Sequence, residues 1–430
     1  MISGGFDVTY VTYPNPAPGW VDGVYHERQP VVTKAAETAS SVYTSRRFRE
    51  KEETGWGVFD YHEGARFAFP ASCGDFDITV KVRSHGDCTV SAYCDGMRVL
   101  SAVPLQDGVT AELSFTVRSC NDVSEIWFSP DTADGSDEAA ATLEICSLSY
   151  TARTQREPGR KPTLFLASDS TTQTYDPYYY PQTGWGEVLY KYFFGSDLVR
   201  EYRPEDSSYS QCRVYELPDI KIENRSIGGR SSRSFFLEGK LSELLARAAR
   251  GDFIMIQFGH NDGTKARPNR YVSPGDYKEW VRRYIRAALA RDITPILVTP
   301  VMRRNCDEGG RNGEFVPSFT EFAGKLYELA AEFDVPLLDL GSLSFEVCRT
   351  LGSERTKKLY LWAAPDEYEG AYANGVTDNT HLSRTGALIY AEKLASMLAA
   401  SEDTRLNPLG ALIDKRRCDL IKEALLGRYI

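Results

Sequence analysis

The run Phe253-Ile-Met-Ile-Gln-Phe-Gly-His-Asn-Asp-Gly263 sets a nearly unbroken apolar stretch directly before a turn rich in Gly, Asn and Asp. A strand that is apolar on both of its faces belongs in a parallel sheet covered on both sides. Working outward, the same buried-type pattern recurs at 163–167, 220–227, 294–299 and 335–340. Between these stretches the apolar residues switch to helical spacing, over 184–194, 232–249, 274–292, 319–333 and 383–400. Strands alternating with helices predict a doubly wound α/β domain with a flavodoxin-like, five-stranded parallel sheet over residues 161–400. Residues 401–430 add a helical extension, with one helix expected near 412–426.

Upstream the pattern is different. Residues 60–153 carry short runs of β-branched and aromatic residues with turns between them, such as Phe76-Asp-Ile-Thr-Val-Lys-Val82. Cys88–Cys94 and Met97–Leu100 flank Asp95-Gly96, a hairpin dipeptide. This spacing predicts an all-β sandwich over residues 1–155, its first 60 residues supplying edge strands or wrapping the sheets. Trp20, Tyr25, Trp56 and Tyr61 are either core aromatics, the usual role at strand spacing, or a stacking surface for a ring-shaped ligand. The stretch Arg153–Lys161, with Pro158-Gly159, reads as the linker.

The 430 residues carry 50 Lys and Arg against 60 Asp and Glu, a formal charge of -10 with both signs interspersed. That balance argues against binding nucleic acid or an anionic membrane surface. Apolar runs fall far short of the ~20 residues needed to span a bilayer. The start, Met1-Ile-Ser-Gly-Gly-Phe-Asp7, has neither the basic nor the apolar stretch of a secretory signal. Nine scattered cysteines show no Cys-x-x-Cys spacing, which suits reduced thiols. Together these features lead to the expectation of a cytoplasmic protein.

In an open α/β sheet, ligands bind beyond the carboxyl ends of the strands. Four polar segments fall there: Ala167-Ser-Asp-Ser-Thr-Thr172, Gly228-Gly-Arg-Ser-Ser232, Gly259-His-Asn-Asp-Gly263 and Val376-Thr-Asp-Asn-Thr-His-Leu-Ser383. Acyl transfer needs a nucleophile, a base, a group that orients the base and donors for the oxyanion. Ser170 can serve as nucleophile and His381 as base. Asp378, three residues earlier, can reach the imidazole Nδ1 through one irregular turn. The backbone N–H groups of Ser170 and Gly229, with the Asn261 amide, can form the oxyanion hole. Each feature alone is ordinary turn chemistry; their order and placement favour the functional reading. His26, His62, His85, His260 and His381 lack metal-ligand spacing, so neither a metal nor another cofactor is expected.

These segments resemble those of the SGNH (GDSL-type) hydrolases, which carry Gly-Asp-Ser, a Gly, Gly-x-Asn-Asp and Asp-x-x-His. Here they read Ser168-Asp169-Ser170, Gly229, Gly259-His260-Asn261-Asp262 and Asp378-Asn379-Thr380-His381. Within that superfamily the chain is similar to the rhamnogalacturonan acetylesterases of carbohydrate esterase family twelve. The narrower likeness lies in Asp169-Ser-Thr-Thr, Thr183-Gly-Trp-Gly, Gly229-Arg-Ser-Ser-Arg-Ser-Phe, Phe258-Gly-His-Asn-Asp and Asn374-Gly-Val-Thr-Asp-Asn-Thr-His. Ser168 stands where the family has Gly. The first 150 residues look like a galactose-binding-type sandwich, with no shared motif.

The resemblance implies a serine esterase that takes acetyl groups from pectin-derived oligosaccharides. Galacturonate carboxylates would then call for basic groups, and Arg230, Arg303 and the adjoining Arg304 lie after strands on the functional side, with His260 a further substrate contact or a brace for its loop. The alternatives are an acetylxylan or general short-acyl esterase on the same scaffold, or a catalytically silent carbohydrate-binding protein.

Overall fold

Alternation decides the first part of the chain. In Asp75–His85 every second residue is buried, as expected for a strand with one face on a core. The computed structural model describes residues 3–6, 19–26, 29–34, 42–43, 46–51, 58–131, 142–205, 207–267, 269–306 and 314–429. They belong to two compact units: Met1–Arg156 with Phe236–Ala246, and Glu157–Phe235 with Arg247–Ile430.

In the first unit, Thr142–Ala152 and Thr110–Arg118 flank Asp75–His85, and Ser3–Phe6 and Val42–Tyr43 pair with Thr142–Ala152. A second antiparallel sheet runs through Gln29–Lys34, Gly19–His26, Val58–Pro70, Val123–Asp131, Cys88–Cys94 and Met97–Leu105, with Arg46–Lys51 on Val58–Pro70. Phe67, Phe69, Phe76, Ile78, Phe128 and Tyr150 from both sheets share one core, with Phe69 edge-on to Phe76 at 5.2 Å. Asp95 and Gly96 have φ of 52° and 87°, both positive as a type I′ hairpin turn requires. The side chains of Trp20, Tyr25, Trp56 and Tyr61 lie outside the described residues.

The second unit holds the expected parallel strands, in the order Lys221–Asn224, Thr163–Ala167, Phe253–Ile256, Thr294–Val298, Leu337–Leu338. Phe253–Ile256 is buried at all four positions, so both faces of the sheet are covered. The sheet has seven strands, however, rather than five. Arg213–Glu216 and Arg200–Tyr202 extend it antiparallel beyond Lys221–Asn224. These two are only three and four residues long, with Val214 and Tyr215 their buried apolar pair, and an antiparallel edge needs no continuous apolar run to announce it.

The helices run over Pro274–Leu289, Thr320–Phe333, Leu340–Thr356, Arg384–Ala400 and Lys415–Tyr429. Ser273 and Ser383 cap two of them by accepting backbone N–H bonds, which satisfies donors left open at a helix start. The single helix expected over 232–249 is two, Ser232–Leu237 and Lys240–Leu245, broken at Gly239. Among the described residues no helix is long and apolar enough to cross a membrane.

Candidate active site

The Ser168–Thr172 segment leaves the strand Thr163–Ala167 and closes into a tight turn, with Thr172 N and Gln173 N both donating to Asp169 O. Asp169 Oδ1 accepts from the Thr171 N–H and hydroxyl, each at 2.9 Å. Gln257, buried on the neighbouring strand's exit, donates to the hydroxyls of Thr171 at 2.9 Å and of Ser168 and Thr172 at 3.3 Å. The Thr183-Gly-Trp-Gly motif finds its reason here. A Cβ on Gly184 would lie 2.2 Å from Gln173 O, so only glycine lets the start of the Trp185–Val188 helix press against this turn. The Trp185 indole then donates to Gln257 at 3.3 Å.

Ser170 faces an unexpected partner element. The segment around His381 is a strand, Val376–Leu382, paired with Tyr360–Ala363. The ribbon's register jumps from Tyr360↔Leu382 to Leu361↔Asp378, so residues 379–381 bulge out of it. A bulge re-aims side chains, and this one brings Asp378 and His381 together. His381 Nδ1 is 2.7 Å from Asp378 Oδ2, and Nε2 is 2.9 Å from Ser170 Oγ. Asp378 Oδ1 also accepts from the N–H groups of Thr380 and His381, at 2.6 and 3.0 Å. Burial alone would raise the Asp378 carboxyl, but the His381 hydrogen bond and charge with these backbone donors outweigh it and hold it at about 2. Such a carboxylate can fix the imidazole tautomer that leaves Nε2 to accept a proton from Ser170.

The ribbon is braced from below. Arg304 N donates to Asn379 O at 2.8 Å, and the Asn379 Oδ1 accepts from Arg304 Nη1 at 3.2 Å and Trp362 Nε1 at 2.9 Å. Arg304 is 2% exposed, which removes it from the surface groups considered for substrate.

Gly228 and Gly229 arrive from the strand Lys221–Asn224. Gly228 N donates to Gln173 Oε1, and a Cβ on Gly228 would come 3.5 Å from Ser170 Cβ. Gly229 has φ +79°, and a Cβ there would meet the Arg270 guanidinium at 3.0 Å. The N–H groups of Ser170 and Gly229 donate to no protein acceptor among the described residues. Asn261 Nδ2 donates to Arg230 O at 3.0 Å while its Oδ1 accepts from Arg270 Nη1 at 3.3 Å. The amide's orientation is thus fixed, with one N–H beyond that bond. Arg270 belongs to this site although no motif pointed to it.

His260 lies inside the protein, 3% exposed. Its Nε2 donates to Val301 O at 2.8 Å, and its Nδ1 is 3.1 Å from Asp169 Oδ2. With both nitrogens so engaged it has the geometry of a brace and offers substrate no polar atom, which corrects its expected place among the substrate contacts. Arg230 Nη1 folds back onto Gly228 O at 3.0 Å. Arg303 Nη2 donates to His260 O at 3.2 Å, with the guanidinium 5.2 Å from the Phe319 ring. Burial lowers the Arg303 pKa, while Asp169 and Asp378 act to retain its charge. Asp262, fully buried, accepts from Ser232 N and Oγ and from Gly259 N, tying the 228–232 loop to the 259–263 loop.

A family model described as GDSL-like Lipase/Acylhydrolase matches residues 165–394. The chain is 32% identical over 232 residues to a rhamnogalacturonan acetylesterase of Bacillus subtilis (strain 168), a match covering 54% of this chain and 87% of the relative. It is 33% identical over 255 residues to a probable rhamnogalacturonan acetylesterase of the same organism, covering 59% of this chain and 98% of the relative. A rhamnogalacturonan acetylesterase of Emericella nidulans is 22% identical over 255 residues, covering 56% of this chain and 85% of that protein.

Proposed function

The chain belongs to the GDSL-like lipase/acylhydrolase family and is a serine esterase, and from that premise we propose that it removes O-acetyl groups from pectin-derived carbohydrate, with acetylated rhamnogalacturonan fragments as substrate. The observation that carries the chemistry is the continuous line from Asp378 through His381 to Ser170, with contacts of 2.7 and 2.9 Å. Ser170 Oγ attacks the acetyl carbonyl while His381 Nε2 takes its proton. The developing oxyanion meets the N–H groups of Ser170 and Gly229 and the Asn261 amide. His381 then returns the proton to the departing sugar oxygen, leaving an acetyl-enzyme, and water repeats the sequence to release acetate.

In this mechanism Asn261→Ala removes one oxyanion donor, which costs about 10² to 10³ in kcat with little change in ground-state binding. Steady-state kinetics on an acetyl ester are the check. A change confined to KM would make Asn261 a substrate-positioning residue instead.

The substrate class rests on the names of the relatives and on the cationic groups around the site. Arg270 lies against Gly229 and Asn261, Arg230 on the same loop as Gly229, and Arg303 on the main chain of His260. Guanidinium forks suit the carboxylates of galacturonate. Acetate release from native acetylated pectins, xylans and their oligosaccharides is the deciding experiment. A preference for neutral acetylxylan would favour the acetylxylan esterase reading. For acidic fragments KM should rise with ionic strength, because salt screens exposed charges over ~10 Å at 0.1 M; for neutral acetyl esters it should hardly move. Equal salt dependence for both would remove uronate recognition from the proposal.

A further inference from the structure

Beside the nucleophile lies the sequence Tyr175-Asp-Pro-Tyr-Tyr-Tyr-Pro-Gln182, which the ester chemistry does not use. Tyr178, Tyr179 and Tyr180 are 59%, 43% and 50% exposed. Large aromatic rings left in water at three consecutive positions are unfavourable unless something covers them. Their main chain is held on both sides. Asp176 accepts from Tyr178 N at 2.9 Å, and Thr183 N donates to Leu382 O, next to His381, at 3.1 Å. From the other side, the turn at Gly370–Tyr372 abuts Tyr178 so closely that a Cβ on Gly370 would lie 2.3 Å from its carbonyl oxygen. Tyr372 donates to Gln182 Oε1.

The rings form a chain of contacts that ends on the main chain of Ser170. The Tyr175 hydroxyl donates to Ser170 O at 2.8 Å. Its ring meets Tyr179 edge-on at 6.2 Å, and Tyr179 meets Tyr178 edge-on at 5.3 Å. Burial raises the Tyr372 hydroxyl to about 12, with Asp378 and Tyr179 adding to that shift.

We propose that Tyr178 and Tyr179 form a stacking platform for the pyranose rings of an oligosaccharide that extends outward from the acetylated sugar bound at Ser170. This rests on the carbohydrate esterase reading above. A sugar ring has an apolar C–H face and a polar rim, and tyrosine presents the matching pair, an apolar ring and a hydroxyl. The tyrosines stand on a segment bonded at one end to the Ser170 main chain and at the other to Leu382, next to His381, so an occupant of the rings lies beside the bound substrate, which selects the substrate's own chain over a second protein. Because the main chain is held and the rings already pack on one another, binding has less left to order.

The test compares kcat/KM on an acetylated rhamnogalacturonan oligosaccharide with kcat/KM on 4-nitrophenyl acetate, which has no sugar to stack. In Tyr178→Ala and Tyr179→Ala the ratio of the two should fall about 3- to 10-fold per ring, chiefly through the oligosaccharide KM. Tyr179→Phe, which keeps a ring, should stay within about threefold of the wild-type ratio. A ratio unchanged in the double alanine variant overturns the platform, whether or not both activities fall together. If the wild type hydrolyses nitrophenyl acetate but releases acetate from no oligosaccharide, the carbohydrate reading falls and the platform with it. That outcome is distinct from an enzyme active on oligosaccharides and indifferent to both rings.

Discussion

Ser170→Ala should lower kcat by about 10³-fold or more, His381→Ala by a similar factor, and the double variant by little more than either alone, since nucleophile and base act as one unit. The geometry behind this is the 2.9 Å contact between His381 Nε2 and Ser170 Oγ, with Asp378 2.7 Å from the far nitrogen. The neighbouring Ser168 supplies the control. It is 1% exposed, and its hydroxyl accepts from Thr172 Oγ1 at 2.8 Å and Gln257 Nε2 at 3.3 Å. A hydroxyl so enclosed cannot reach an ester, so Ser168→Ala should lose far less than Ser170→Ala. Hydrolysis of an acetyl ester by the purified variants is the measurement. An active Ser170→Ala beside an inactive Ser168→Ala would reverse the assignment.

What the sequence made legible here was local and periodic. The strands around Leu164, Ile254 and Ile296 declared themselves by apolar runs, whereas Lys221–Asn224 is mostly polar in sequence although three of its four residues are buried; a turn at the carboxyl end of such a strand is a place for function whatever the loop's details. That was enough to single out Ser170, Gly229, Asn261, Asp378 and His381, which the structure gathers into one site. The ribbon carrying His381 was not legible. Its residues alternate only weakly in burial, and its partner Tyr360–Ala363 is four residues long. The Leu340–Thr356 helix was hidden as well, interrupted by Gly352 at φ 77°. Side-chain direction was beyond the sequence altogether. Nothing in Gly259-His-Asn-Asp says that His260 turns inward to Asp169 while Asn261 faces Arg270. Arg270 itself reaches Gly229 from 41 positions later in the chain, a proximity that only tertiary packing sets.

The inward turn of His260 carries the second large expectation. Val301 O can only accept, so His260 Nε2 holds a proton, and with the Asp169 carboxyl group at Nδ1 a further proton lies between ring and carboxyl. The two side chains are 3% and 0% exposed, which makes this a buried pair immediately beside Ser170. Burial pushes the Asp169 carboxyl up, but the charge and hydrogen bond of His260, with the Thr171 donors, leave it lowered. A carboxylate whose native pKa is depressed stabilises the fold above its unfolded value of about 3.9, and that contribution is lost as pH falls through the native value. His260→Ala leaves the carboxylate buried without its partner, a change worth about 3–5 kcal/mol, or a fall in Tm on the order of 10 °C for a unit of this size. The acid-side behaviour should also invert. An unpaired buried carboxyl has a raised pKa, so the variant should gain stability on going from pH 7 towards pH ~4, where the wild type does not. Since Asp169 Oδ1 also fixes Thr171 and hence the turn that aims Ser170, kcat should drop by roughly 10²-fold through misplacement alone. Removing the charge as well, in Asp169→Asn combined with His260→Ala, should restore part of the lost Tm, because the stranded charge and not the missing ring is the main cost. Thermal unfolding of the three proteins across pH 4 to 8 decides the matter. A single His260→Ala variant melting within about 2 °C of wild type, well inside the shift that a stranded buried charge requires, would show that the pair does not hold the turn.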